Sequence, residues 1–243
     1  MSVHIGTSGW SYDHWQGILY PKGAKRWERL RYYVEQFGTT ELNSSFYRWP
    51  KESAFKSWQR RLPEGFLLSV KAPKYLTHTK RLYGPENWIE RIKGCWHELG
   101  EKRAILLIQL SPNFPLDYKR LDYFLSKLPL WMKVAVEFRH LSWHIEPIYQ
   151  LLEHYGAAYC IMSGAGLPCI LRSTAPFVYV RLHGPDPQHL YGGSYSSADL
   201  AWWAERIREW ARQGKDMYVY FNNDGSGNAV YNASALKALL SSG

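Results

Sequence analysis

The sequence predicts an α/β fold, a single (β/α)₈ barrel of the TIM type that spans residues 1–243. Eight short apolar runs alternate with amphipathic stretches, which is typical of parallel strands joined by helices. The length of 243 residues is that of one such barrel. No linker or low-complexity tract divides the chain, so we expect one domain.

The strands are predicted from the apolar runs at residues 4–8, 40–46, 66–71, 104–110, 134–139, 157–162, 178–183 and 217–222. The first interval places Leu30, Tyr33 and Phe37 at helical spacing, and most of the other intervals are also predicted to be helical. Helices are therefore predicted over residues 25–37, 51–62, 86–99, 116–128, 145–155 and 200–212, followed by a last helix after strand eight.

Two details of these helices follow from residue type. Ser196 or Ser197 would cap the helix over residues 200–212, and Asn232 would cap the last helix. Residues 163–176 carry Gly164 and Pro168 and lack a helical period. We therefore expect an irregular link between strands six and seven.

An open doubly wound sheet is the rival architecture. Its usual mark is a glycine-rich loop after an early strand. Residues 6–9, Gly-Thr-Ser-Gly, do follow strand one, but they lack the spacing of a dinucleotide or P-loop motif. The pattern therefore favours the closed barrel.

The composition limits the partners. Residues 1–121 carry 20 Lys and Arg against 11 Asp and Glu, whereas the remainder is neutral. Such a basic half can attract an anionic ligand or nucleic acid, although a solvated surface would look the same. Three cysteines without a CxxC pair, no signal peptide and no apolar run of membrane-spanning length predict a cytoplasmic protein.

Side-chain alternation along the strands predicts where the chemistry lies. One face of most runs is apolar, whereas the other becomes polar towards its C-terminal end, as at Glu41, Glu137 and Arg181. In a closed barrel the second face points inward and its C-terminal end is where barrel enzymes place their active sites. We therefore expect these polar residues to meet in one cavity.

The strand ends and the loops after them supply the candidate residues. The predicted catalytic residues are Glu41, Lys71, His78, Glu137 and His183. The predicted substrate-binding residues are Trp10, Tyr12, Asn43, Tyr47, Gln109, Arg139, Arg181, Tyr191, Asn222 and Asp224. The glycines at 225 and 227 would let backbone amides converge on an anion, and the tyrosines at 191 and 195 would form a lid.

A metal site is the alternative use of the acidic and histidine residues. Glu41, Glu137 and Asp224 with the histidines would offer mixed nitrogen and oxygen ligands. Lys71 and Arg181 are expected in the same pocket, where their charge repels a cation and suits an oxyanion. We therefore predict no metal, and no cofactor motif is present.

Seven short motifs are spread over nearly the whole chain. They lie at residues 6–12 with Trp15, 41–47, 71–78, 109 with 112–114, 137–140 with Trp143, 181–184 with Tyr191 and Ser196, and 221–224 with Ala229 and Asn232. Together they resemble the YecE-like family of uncharacterised TIM-barrel proteins, domain of unknown function number seventy-two. The resemblance implies a (β/α)₈ barrel and the location of its site, but no particular reaction.

The leading hypothesis is an enzyme that uses acid–base chemistry on a phosphorylated or nucleic-acid-related substrate, in a hydrolase or lyase-like reaction. Glu137 or Glu41 would transfer the proton, with His183 and His78 as alternatives, while the cations hold anionic oxygens. One alternative is a glycoside-type hydrolase with Glu41 and Glu137 as paired carboxylates. The other is a non-catalytic protein that binds nucleic acid through the basic half.

Overall fold

The computed structural model describes residues 1–241, which form eight strands and seven α-helices. The strands are β1 Val3–Thr7, β2 Thr39–Leu42, β3 Leu67–Lys71, β4 Arg103–Gln109, β5 Val134–Glu137, β6 Ala158–Ser163, β7 Phe177–Leu182 and β8 Asp216–Phe221. The helices are α1 Arg29–Gln36, α2 Glu52–Arg61, α3 Glu86–His97, α4 Tyr118–Lys127, α5 Glu146–His154, α6 Ser197–Arg212 and α7 Asn228–Ser241. None of these helices has the length and apolar character that a membrane crossing requires.

The strands form one parallel sheet whose order is β1-β8-β7-β6-β5-β4-β3-β2. A parallel bridge between Ser8 and Glu41 joins the end of β1 to β2. Strands that are consecutive in the chain are thus neighbours throughout, which is the topology of a (β/α)₈ barrel. The predicted fold class is confirmed, including the link between β6 and β7, which contains no helix.

Two local predictions differ from the structure. The second strand was expected to reach residue 46, but it ends at Leu42 because Ser44–Phe46 form a 3₁₀ turn. In this turn the Ser45 hydroxyl donates to the Leu42 carbonyl at 2.8 Å. Asn232 does not cap the last helix, which begins four residues earlier, directly after Gly227 with its positive φ of 77°.

The cap of α6 was predicted correctly. Ser196 accepts a hydrogen bond from the Asp199 amide at 3.1 Å, and the Asp199 carboxylate accepts from the Ser196 amide at 2.9 Å. This reciprocal pair satisfies two backbone donors that a helix start otherwise leaves unpaired. The helix therefore begins earlier than its apolar spacing alone indicated.

The chain divides into two compact units, and the expected single domain stays a prediction. The first unit comprises Met1–Glu41, Ile161–Leu171 and the residues from Pro176 onward. In it β1 pairs with β8 from Val3 opposite Met217 to Thr7 opposite Phe221. The Tyr33 hydroxyl donates to the Thr39 carbonyl at 2.9 Å and accepts from the Thr7 amide at 3.0 Å, which fastens α1 to β1 and β2.

The second unit comprises Leu42–Cys160 and Arg172–Ala175. Strand β4 lies between β3 and β5, and the side chains at its centre, such as Ile105 and Leu107, are fully buried. Part of the irregular link is hydrogen-bonded to the chain at the start of β6 through Thr174. The Thr174 hydroxyl donates to the Ala157 carbonyl and accepts from the Tyr159 amide, both at 2.7 Å.

The close approach of β1 to β2 can be tested at Gly6. A Cβ atom at Gly6 would lie 2.2 Å from the Thr39 carbonyl oxygen and 3.0 Å from the Tyr33 hydroxyl. We expect Gly6→Ala to lower the free energy of unfolding by about 1–3 kcal/mol, because backbone atoms must move apart. Urea unfolding measures this loss.

Gly38→Ala is the matched control, since a Cβ atom there meets nothing within 4 Å. We expect it to be neutral or to stabilise the protein by up to about 1 kcal/mol through the unfolded chain. Equal effects of the two substitutions would contradict the tight contact at Gly6.

Candidate functional site

The first group of polar residues surrounds the carboxylate of Glu41 and is called the Glu41 cluster. Ser8 follows β1, Glu41 lies in β2, and Tyr179 and Arg181 alternate along β7. The carboxylate accepts from Ser8 Oγ at 2.5 Å, from Tyr179 Oη at 2.7 Å and from Arg181 Nη2 at 2.8 Å. All four residues are buried, and the cluster joins three strands.

The partners of Glu41 keep it ionised. Burial alone would raise the pKa of Glu41, but the Arg181 charge and the hydrogen bonds from Ser8, Tyr179 and Arg181 outweigh burial and lower it. Burial first, and then the nearby Glu41 charge, raise the pKa of Tyr179 well above 10, so its hydroxyl remains a donor. A carboxylate with a lowered pKa is a weak base, so the cluster is better suited to fixing charge than to moving protons.

His183 and Asn222 form a second contact at the ends of β7 and β8. The Asn222 amide lies 3.2 Å from His183 Nδ1, which must accept because an amide nitrogen only donates. His183 is buried, and the Tyr191 ring packs edge-on against it at 5.3 Å. Tyr191 is exposed and adopts a positive φ of 74°, and its role as a lid stays a prediction.

Tyr195, the other predicted lid tyrosine, is fixed in place. Its hydroxyl accepts from the Gly184 amide at 3.0 Å and contacts Ser163 Oγ at 3.1 Å. Asn232, inside α7, accepts through Oδ1 from the Tyr195 amide at 3.1 Å and from Asn223 at 2.8 Å. Of the two tyrosines, only Tyr191 is exposed.

Asp224 contacts two residues of the loop after β1. Its carboxylate accepts from Trp15 Nε1 at 2.6 Å and lies 3.0 Å from His14 Nε2. Burial raises the pKa of Asp224 to about 6, against the opposing effects of His14 and Trp15. His14 was not predicted. The available signal was its place between Tyr12, a predicted substrate-binding residue, and Trp15 of the first motif.

Tyr12 and Trp10 belong to the same loop. The Tyr12 hydroxyl donates to the Ser8 carbonyl at 2.5 Å, and burial, then Asp224 and Glu41, raise its pKa. Trp10 is partly exposed, and its carbonyl accepts from the Tyr20 hydroxyl at 3.3 Å. Tyr12 is thus fixed to the backbone beside the Glu41 cluster.

The Lys71 cluster lies in the second unit and consists of Phe46, Lys71, His78, Glu137 and Arg139. The Lys71 ammonium sits 4.1 Å from the centre of the Phe46 ring, against which His78 packs edge-on at 4.9 Å. Arg139 Nε donates to Glu137 Oε1 at 2.5 Å. Lys71, Glu137 and the Arg139 side chain are largely removed from solvent.

The environment of His78 favours its neutral form. Burial, and next the charges of Lys71, Lys74 and Arg139, lower the pKa of His78 to about 4, against an opposing effect of Glu137. The Thr77 hydroxyl lies 2.9 Å from His78 Nδ1. The lowered pKa therefore favours the neutral imidazole, although His78 lies among cations.

The remaining predicted residues surround this cluster unequally. Gln109 is buried in β4 opposite Glu137. Asn43 is half-buried, and its Oδ1 is buried without a hydrogen bond in the described structure. Tyr47 is 78% exposed and contacts Phe46 through its ring, so it lies at the surface. Within residues 1–241 no group of three or more metal-ligating side chains converges, and the absence of metal and cofactor stays a prediction.

The predicted residues thus form separate groups within each unit, and a single shared cavity stays a prediction. Fold and groups together define a TIM-barrel protein with buried ion pairs near the C-terminal ends of its strands. The chain belongs to the family described as "Protein of unknown function DUF72", which it matches over residues 4–243. The family predicted from the motifs is confirmed.

Known relatives cover the whole barrel. The chain is 28% identical to the UPF0759 protein YunF of Bacillus subtilis, over 98% of this chain and 94% of that protein. It is similar to the crystal structure of the DUF72 family protein TM1631 of Thermotoga maritima, with 30% identity, a TM-score of 0.87 and coverage of 99% and 100%. The DUF72 family protein EF0366 of Enterococcus faecalis shares the fold, at 20% identity and a TM-score of 0.83 over 98% and 95% of the chains.

We expect the removal of Arg181 from the Glu41 cluster to destabilise the protein strongly. Arg181→Met would leave the Glu41 carboxylate buried without its counter-charge. We expect the free energy of unfolding at pH 7 to fall by about 3–5 kcal/mol. Adding Glu41→Gln to that variant should recover part of the loss, because the uncompensated charge disappears. Urea unfolding of both variants measures the difference.

Arg172→Met is the control for removing an arginine. Arg172 pairs with Glu146 at 2.7 Å and Glu153 at 3.1 Å, and all three side chains are over a third exposed. Solvent screens such pairs, so we expect a loss below about 1 kcal/mol. If both arginine variants lose a similar free energy of unfolding, Glu41–Arg181 is not a buried pair that determines stability.

Proposed function

We propose that this barrel is an enzyme that performs acid–base chemistry on a phosphorylated or nucleic-acid-related substrate, with the Lys71 cluster as its anion-binding centre. The observation that carries the proposal is the position of His78, which packs against the same Phe46 ring as the largely buried Lys71 ammonium. A cytoplasmic location and a small anionic ligand or a nucleic acid as partner belong to the same proposal.

Cations with little access to water support an anionic ligand. Lys71 is 6% exposed, and the Arg139 side chain is 7% exposed. A phosphate oxygen that reaches them would replace water in a region where charge interactions are stronger than in bulk solvent. By formal charge, Lys71 and Arg139 exceed Glu137 by one positive charge within the cluster.

Binding of an anion would also change the protonation of His78. The positive field of Lys71, Lys74 and Arg139 contributes to its low pKa. A bound phosphate opposes that field and raises the pKa towards neutrality, where an imidazole is most effective as a general acid or base. In this scheme the substrate itself makes His78 competent for proton transfer, and Glu137 orients Arg139.

The same scheme distributes the other predicted roles. Glu41 and Arg181 act as positioning residues, because their mutual pairing and the lowered pKa of Glu41 leave little capacity for proton transfer. His183 stays an alternative proton carrier, with Nδ1 held by Asn222. Asp224, with a pKa of about 6, is the carboxyl best placed to titrate near neutrality.

The glycoside alternative is weakened by the ion pairs. Glu41 contacts Arg181 at 2.8 Å and Glu137 contacts Arg139 at 2.5 Å. A glycosidase needs one carboxyl with a raised pKa to protonate the leaving group, and a paired arginine has the opposite effect. The non-catalytic nucleic-acid binder remains the alternative, and it predicts binding that survives Glu137→Gln.

The proposal predicts that inorganic phosphate raises the pKa of His78. In an NMR titration of the histidine side chains, we expect a midpoint of about 4 for His78 without ligand and a higher midpoint with phosphate. Lys71→Met should abolish the phosphate-induced rise, whatever its effect on the midpoint without ligand. His154, exposed on α5, is the internal control and should not respond.

An unchanged His78 midpoint at saturating phosphate and sugar phosphate would contradict the proposal. A rise that persists in Lys71→Met would also count against the Lys71 cluster as the binding centre. Circular dichroism of the variant checks that the substitution leaves the fold intact.

A further inference from the structure

Aromatic rings lie beside cations on the surface next to the Lys71 cluster. Two of these rings, Tyr75 and Tyr83, are exposed, and the third, Trp88, is half-buried. We call this group the cation–aromatic surface, and its members are Tyr75, Lys80, Tyr83, Trp88, Arg91 and Arg120. Lys80 lies 5.8 Å from the Tyr75 ring centre, Arg91 lies 5.0 Å from that of Trp88, and Arg120 lies 5.9 Å from that of Tyr83. Each ring thus has a cation beside it, at cation–π distance.

The three pairs are close to one another. The Tyr75 and Trp88 rings lie 6.1 Å apart, and the Tyr83 amide donates to the Lys80 carbonyl at 2.8 Å. A cleft of about 480 Å³ borders Tyr83 and Arg120. Its volume falls within the range of small-molecule sites, so it has room for a nucleotide unit.

The backbone holds the exposed side chains outward. Arg81 and Leu82 adopt positive φ angles of 47° and 65°, which non-glycine residues rarely do. The Leu82 side chain is fully buried, whereas its neighbour Tyr83 is 69% exposed. Burial of Leu82 therefore anchors the turn that places Arg81 and Tyr83 in solvent.

The charge balance of the segment favours an anionic partner. Residues 71–93 contain six Lys and Arg but only two Asp and Glu. Of these acids, Glu86 accepts from the Tyr123 hydroxyl at 2.5 Å and Glu90 pairs with Lys93 at 3.0 Å. Asp117 pairs with Arg120 at 3.1 Å, but Lys80, Arg81 and Arg91 add to the positive side.

We propose that the cation–aromatic surface binds single-stranded nucleic acid, whose bases stack on the tyrosine and tryptophan rings while its phosphates contact the cations. This inference rests on the proposed function and names its substrate class. Alternating rings and cations are the features with which proteins bind single strands, since every unpaired base offers a face for stacking. The bases of a duplex are already stacked on one another.

The surface is continuous in the chain with the Lys71 cluster. Tyr75 and His78 belong to the same π-helical turn, Tyr75–Thr79, with Tyr75 exposed and His78 half-buried. Lys74 precedes that turn and contributes to the low pKa of His78. A strand stacked on Tyr75 would therefore carry its next phosphate towards Lys74 and His78.

The test is fluorescence anisotropy with a labelled oligothymidine of about 12 nucleotides and a duplex of the same length. We expect the single strand to bind more tightly, and its affinity to fall steeply between about 50 and 200 mM salt. Tyr83→Ala should weaken binding about fivefold or more, the loss expected from one stacked base. Trp88→Ala should have a similar effect.

Trp202→Ala is the matched control, because Trp202 is 40% exposed and has Arg206 5.4 Å from its ring centre, but lies on α6. It should leave binding unchanged. No binding of the single strand at low salt, equal binding of the duplex, or an equal loss in Trp202→Ala would each overturn the inference. Tyr83 is exposed, so thermal unfolding should be nearly unaffected by its substitution.

The two proposals can fail separately. If phosphate raises the pKa of His78 but the oligonucleotide does not bind, the inference fails while the proposed function stands. If the oligonucleotide binds through Tyr83 but phosphate leaves His78 unchanged, the surface is supported and the role of the Lys71 cluster fails.

Discussion

The buried Glu41 carboxylate is the constraint on which its half of the barrel depends. Glu41 lies in β2, yet its partners Tyr179 and Arg181 lie in β7, and Ser8 follows β1. In the sheet order, β8 lies between β1 and β7. The contacts of Glu41 therefore hold β2, the end of β1 and β7 together within the first unit. A buried charge that is costly alone thus requires these three segments to meet.

The two buried glutamate–arginine pairs have different surroundings. The hydroxyls of Ser8 and Tyr179 donate to Glu41 in addition to Arg181, so these hydrogen bonds stabilise the charged carboxylate. Near Glu137 and Arg139, the Phe46 ring contacts both Lys71 and His78. The Lys71 ammonium lies over the ring, and the His78 ring is roughly perpendicular to it. The charges of Lys71, Lys74 and Arg139 contribute to the low pKa of His78. An anion bound beside them would therefore change the electrostatic field at His78.

The burial of the polar strand residues could be predicted from the sequence, because the alternation of side chains along a strand is a local property. Alternation alone placed Glu41, Glu137 and Arg181 on the buried face, and all three are fully buried. The pairing of Glu41 with Arg181 and the contact between Asp224 and His14 could not be predicted, since they join segments distant in sequence. The prediction that Asn232 caps the last helix was wrong for a related reason. Its side-chain oxygen accepts a hydrogen bond from the Tyr195 amide, and not from its own helix.

The link between β6 and β7 has a consequence for how the chain assembles. Most strands are followed by a helix, whose hydrogen bonds are local in sequence. Between β6 and β7 there is no helix, and the Thr174 hydroxyl is hydrogen-bonded to the backbone of Ala157 and Tyr159. A link of this kind gains these hydrogen bonds only after the chain at Ala157 and Tyr159 is in place. The start of β6 should therefore be among the last parts to become protected from hydrogen exchange during refolding, and a point of local opening in the folded protein.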